Sequence, residues 1–92
     1  MNIALYDECR KLQLPHNEKS VMLGLAARAS KTSREAFPSV KTLAEDIGMG
    51  TTATRGTLRA LEREGLISPI GTVKGGRGAS TTYLLSPEKA NA

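Results

Sequence analysis

The chain has one cysteine, one histidine, one phenylalanine and no tryptophan, and each shortage removes a class of protein. A lone Cys9 cannot form an internal disulfide or supply a multi-cysteine metal site. It sits inside an apolar helical pattern, where a small core residue is expected. His16 follows Pro15 at a predicted helix start and has no catalytic partner in sight. No Ser–His–acid arrangement or metal-ligand cluster is present. Asp7/Glu8 and Glu45/Asp46 are adjacent in sequence, so on a helix their side chains diverge. The expectation is a protein that is not an enzyme and needs no metal or cofactor. No apolar run reaches the ~18 residues of a membrane span. The stretch from Met1 to Leu14 carries Asp7, Glu8, Arg10 and Lys11 among its apolar residues, unlike a signal peptide. With no disulfide and no export signal, a reducing cytoplasm is the expected home, bacterial or phage- or plasmid-encoded.

What is present is basic charge. Thirteen Lys and Arg stand against nine Asp and Glu, a formal net charge of +4, which favours an anionic partner. The 92 residues suffice for a single modest core, since a chain of this size buries roughly 60–65% of its unfolded surface. They leave little room for a deep enclosed active site. No internal repeat, low-complexity tract or interdomain linker interrupts them.

Apolar periodicity predicts four helices and a hairpin. The first helix is expected over about 2–12, with Ile3, Leu5, Tyr6, Cys9 and Leu12 on its apolar stripe. The second is expected over about 17–29, with Asn17 as N-cap, Glu18 in the first turn, and Val21, Met22, Leu25, Ala26 and Ala29 inward. Gly24 and the alanines permit close helix packing. After a polar loop, a short extended segment should insert Phe37 as a core anchor. Ser39 reads as the N-cap of a third helix, 40–47, that buries Leu43, Ala44 and Ile47 and ends at Gly48, where a left-handed residue is wanted. A fourth helix, 51–64, is capped by Gly50 or Thr51 and stopped by Gly65. Strands are expected over 66–73 and 80–85. The fold class is therefore mainly α with a small β-hairpin (α+β), one domain over 1–85 followed by a flexible tail over 86–92.

Only Gly48, Met49 and Gly50 separate the third and fourth helices, and so short a turn forces a steep crossing, the helix-turn-helix arrangement. With Thr54, Leu58 and Leu61 inward, a 100° step per residue turns Thr52, Arg55, Gly56, Arg59 and Arg63 outward. That face is basic, and short-chained at its start, as insertion into a major groove requires. Thr51 and Thr52 can bond phosphates or bases beside the open amides of the helix start. Arg55 and Arg59 can fork onto guanine O6 and N7. Gly56 lets a backbone approach closely, at some cost in helix stability. Ser39 and Lys41, at the start of the third helix, complete the candidate contacts on this side. Taken alone, Arg55, Arg59 and Arg63 also suit a solvated face, with Glu62 and Glu64 offsetting part of the charge. The short turn before them and the basic hairpin after them favour nucleic acid.

The hairpin tip, 74–78, holds Lys74 and Arg77 among glycines and suits a wing lying along the DNA backbone or in the minor groove. An ordinary flexible hairpin is the plainer alternative. The spacing of Gly71 and Gly76 approaches that of a phosphate-binding loop. However, Arg77 stands where lysine is needed, Gly78 stands where Ser or Thr is needed, and a strand is expected to follow.

Three runs carry a family resemblance: residues 18–26 (EKSVMLGLA), 37–44 (FPSVKTLA) and 57–67 (TLRALEREGLI). Together they resemble the winged helix-turn-helix domain of phage and plasmid replication proteins and related transcriptional regulators, over about residues 16–85. The family usually has a serine or similar cap where Gly50 stands and an aliphatic residue where Thr54 stands. The resemblance implies double-stranded DNA as partner. Three functions follow as expectations. The first is a sequence-specific transcriptional regulator binding as a homodimer or cooperative oligomer, with no membrane or small-molecule partner. The second is the origin-binding module of a replication initiator. The third is an interaction adaptor that has lost DNA binding.

Overall fold

The computed structural model describes residues 2–73 and 80–91. Four helices pack beside a three-stranded antiparallel sheet in the order α1 (Ile3–Arg10), α2 (His16–Ala27), β1 (Glu35–Ala36), α3 (Val40–Ile47), α4 (Thr51–Arg63), β2 (Ile67–Val73), β3 (Ser80–Leu85), with a closing 3-10 turn over Pro87–Asn91. The α+β winged helix expected from the sequence is what forms.

Local chemistry sets most helix ends. Asn2 is the N-cap of α1, its side-chain oxygen accepting from the Leu5 amide at 3.1 Å, so the helix is shorter than 2–12. At the other end of α1, Lys19 Nζ donates to the carbonyls of Arg10 and Leu12, groups a helix terminus leaves without intrahelical partners. The second helix begins earlier than expected, because Pro15 rather than Asn17 takes the cap position, with no side-chain bond. The fixed φ of proline suits a helix entrance and its missing N–H costs nothing there. Ser39 caps α3 as expected, accepting from the Thr42 amide at 3.1 Å. Gly48 at φ 69° ends α3, and the Met49 amide reaches back to Ala44 at 3.0 Å. Gly65, at φ 78°, ends α4 in a Schellman turn: its own amide donates to Glu62 and the Leu66 amide to Leu61.

The core is aliphatic. Leu5 and Cys9 of α1, Val21, Met22, Leu25 and Ala26 of α2, Leu43 of α3, and Leu58 and Leu61 of α4 converge on Ala36, Leu66, Ile67 and Leu85. Each such leucine, isoleucine or valine contributes about 1.5–3 kcal/mol by leaving water. Burial also pushes the Cys9 thiol up to about 11, so it remains a protonated core side chain.

Three expectations are corrected. Phe37 is 61% exposed, and the buried residue of that segment is Ala36, at 0%. Ala36 pairs with Tyr83 in β1·β3, and side chains alternate across a strand, so burying Ala36 turns Phe37 outward. The hairpin gains β1 as a third strand, giving the sheet order β1-β3-β2. The tail expected to be frayed forms the 3-10 turn, with Pro87 fully buried and Ser86 donating its amide to Leu66. A bulge between Pro69 and Gly71 interrupts β2 and leaves Ile70 exposed.

Candidate nucleic-acid interface

The candidate surface rests on how α3 and α4 are braced. Gly24 brings α2 close to α3: a Cβ there would stand 2.8 Å from both Ile47 Cγ2 and Leu43 Cδ1. Arg28, just beyond α2, grips Asp46 of α3 with a two-pronged guanidinium–carboxylate pair at 2.7 and 3.0 Å, which holds the Asp46 carboxyl below its usual range. The left-handed Gly48 then turns the chain, Met49 packs against the core, and Gly50 starts α4.

The inner face of α4 is Thr54, Thr57, Leu58 and Leu61. Two buried threonines are tolerated because their hydroxyls bond back to the helix, Thr54 to the Gly50 carbonyl and Thr57 to the Ala53 carbonyl, each at 2.8 Å. Thr54 thus fills a core position with a satisfied polar atom.

The outer face holds Thr51, Thr52, Arg55, Gly56, Arg59 and Arg63, all exposed, as the helical step predicts. The first turn has no acidic residue and Gly50 offers no side-chain cap. The leading amides and the positive end of the helix dipole therefore meet no anionic side chain of that turn.

The ion pairing is uneven. Arg10 pairs with Asp7, Arg28 with Asp46, and Arg34 with Glu8 and Glu88. Among the described residues Arg55, Arg59 and Arg63 form no such pair. Acidic partners neutralise Arg10, Arg28 and Arg34, whereas the three arginines without such a partner among the described residues lie on one side of α4. Gly56 lies among them, and a Cβ there would meet nothing within 4 Å.

Lys41 is exposed in the first turn of α3, beside this surface in sequence. Ser39 is only partly exposed, and its oxygen is engaged with the Thr42 amide and hydroxyl; the structure makes it a helix cap first. Lys74 and Arg77 lie outside the described residues. The Arg28–Asp46 brace escaped the sequence reading, because nothing local pairs residues 18 apart. Thr57 could have been assigned to the inner face, three residues after Thr54.

Two packed helices joined by the three residues Gly48–Gly50, followed by an antiparallel strand pair, define a winged helix-turn-helix protein. The chain belongs to the helix-turn-helix domain family, whose profile matches residues 12–67, more than half of the sequence. Searches of curated proteins and of solved structures returned no significant match. A domain of this family points to DNA as partner. No described helix is long and apolar enough to cross a membrane.

Proposed function

We propose that the protein is a sequence-specific double-stranded DNA-binding protein that acts as a transcriptional regulator in a bacterial cytoplasm, chromosomally or phage- or plasmid-encoded, and that it binds rather than catalyses. The observation that carries this reading is the set of three exposed arginines on α4 that form no ion pair among the described residues. In the major groove, Arg55 and Arg59 read guanine edges as planar forks, each good bidentate contact discriminating by about 1–3 kcal/mol. Thr51, Thr52 and the amides of the helix start hold phosphates. Arg63, at the far end of α4, meets the backbone. Lys41, Lys74 and Arg77 add phosphate contacts that carry affinity rather than sequence.

One short helix contacts few base pairs, so two copies on half-sites about 34–36 Å apart suit a protein of this size. Selection from a random duplex pool at physiological salt tests the reading. An enriched site, palindromic if two copies bind, is expected. No enrichment together with no salt-dependent binding would leave an interaction adaptor instead.

The sequence resemblance to replication proteins favours one second reading, an origin-binding module. The position of the enriched site, at an origin or at a promoter, separates the two.

A further inference from the structure

The first turn of α2 meets the end of α4 through two groups of the same charge. Glu18, in that first turn, lies within hydrogen-bond reach of the Glu64 carboxyl at the end of α4. Glu18 Oε1 is buried and has no hydrogen-bond donor among the described residues. Two ionised carboxylates in this position would repel, and a buried oxygen would be left without a partner.

We propose that Glu18 and Glu64 share a single proton, and that this acid–carboxylate bond is a pH-sensitive latch joining α2 to the end of the helix that carries Arg55, Arg59 and Arg63. With one proton the pair makes a short charge-assisted bond. Without it, the junction holds two like charges.

The other charged groups around the pair do not remove the conflict. Arg63, on α4, attracts the charge on Glu18 but forms no ion pair with it among the described residues. Lys11, beyond α1, and Lys89, on the 3-10 turn, line the surface cleft on which Glu64 also opens; Lys11 is already paired with Asp7 at 3.1 Å. On α2 itself, Lys19 is engaged by the carbonyls of Arg10 and Leu12, and His16 is exposed at the helix start.

The bond with Glu64, aided by burial, pushes Glu18 up from 4.5 to about 7. A raised folded value means that the folded state holds a proton the unfolded chain has released between those two values. The latch therefore stabilises the fold fully below about 4.5 and is lost as pH rises through about 7. The negative charge that appears on opening falls beside Arg63.

Denaturation midpoints in urea between pH 5.5 and 8 test the latch in the wild type, Glu18→Gln and Glu64→Gln. An amide in place of one acid supplies the hydrogen permanently. The wild-type midpoint should rise on acidification through neutrality, and either glutamine variant should flatten that rise and match or exceed the wild type at pH 8. Parallel profiles for all three proteins would overturn the proposal. Carboxyl carbon NMR of the wild-type protein is an independent check that needs no variant to fold: a Glu18 titration centred near neutrality supports the shared proton, and one at the ordinary glutamate value overturns it.

Discussion

Alanine at two glycines of this fold should act in opposite senses. In an exposed helix interior, glycine costs about 1 kcal/mol relative to alanine. At Gly56 nothing lies within 4 Å of an added Cβ, so Gly56→Ala should stabilise by that full amount. For a domain of this size that raises the melting temperature by roughly 4–8 °C. At Gly24 the same propensity gain meets two side-chain atoms at 2.8 Å. Leu43 Cδ1 ends a flexible chain and can turn aside. Ile47 Cγ2 is attached to the Cβ of a β-branched residue, which a helix holds near one rotamer, so α3 itself must shift. Overpacking of this kind costs about 1–3 kcal/mol, and the net effect of Gly24→Ala is a loss of up to about 2 kcal/mol. Thermal denaturation followed by circular dichroism compares the two directly. A Gly24→Ala protein that melts as high as Gly56→Ala would refute the close α2–α3 packing. The same pair separates stability from function when titrated by fluorescence anisotropy against the selected duplex. Gly56→Ala should bind more weakly although it is more stable, because its methyl stands where the backbone approaches DNA. Unchanged affinity would remove Gly56 from the interface.

Further outcomes follow from the same geometry. Arg55→Ala and Arg59→Ala should each cost ~1–3 kcal/mol on the selected site and relax its base preference, whereas Arg63→Ala, Lys74→Ala and Arg77→Ala should weaken all duplexes evenly, each lowering the salt slope by about 1; an Arg55/Arg59 double alanine variant that binds like the wild type would remove the reading role from α4. Cys9 should react with a thiol reagent only at the rate of unfolding, since the side chain is buried and its thiol is raised to about 11; rapid labelling of the native protein would show that α1 opens locally. Leu61→Ala, at a fully buried position, should destabilise by about 2–5 kcal/mol, a large part of the stability of a small domain, visible as a lower urea midpoint. The Arg28–Asp46 brace depresses the Asp46 carboxyl, so its contribution is present above the usual carboxylate range and disappears as pH falls through the depressed value. The difference between wild type and Asp46→Asn in denaturation midpoint should therefore shrink in strong acid and in high salt.

Local rules made most of the fold legible. The third helix could be bounded from residues alone, because Ser39 caps it and Gly48 is the residue that tolerates a left-handed end. The outer face of α4 was equally readable, since a 100° step that puts Thr54, Leu58 and Leu61 inside leaves Arg55, Arg59 and Arg63 outside whatever the helix packs against. Phe37 shows where such reasoning stops. Its hydrophobicity argued for burial, but the pairing of Ala36 with Tyr83 set which side of the strand met the core, and pairing partners are a tertiary choice. The ordered turn at Pro87–Asn91 was likewise hidden, because it depends on a core surface assembled from distant segments. The sequence by itself therefore determined which side chains of α4 face outward, since helical periodicity is local. Only the tertiary structure decided which of the described cations remain without partners, that Arg28 braces Asp46 of α3, and which two acids face each other across α2 and α4, because charge pairing depends on distances in space.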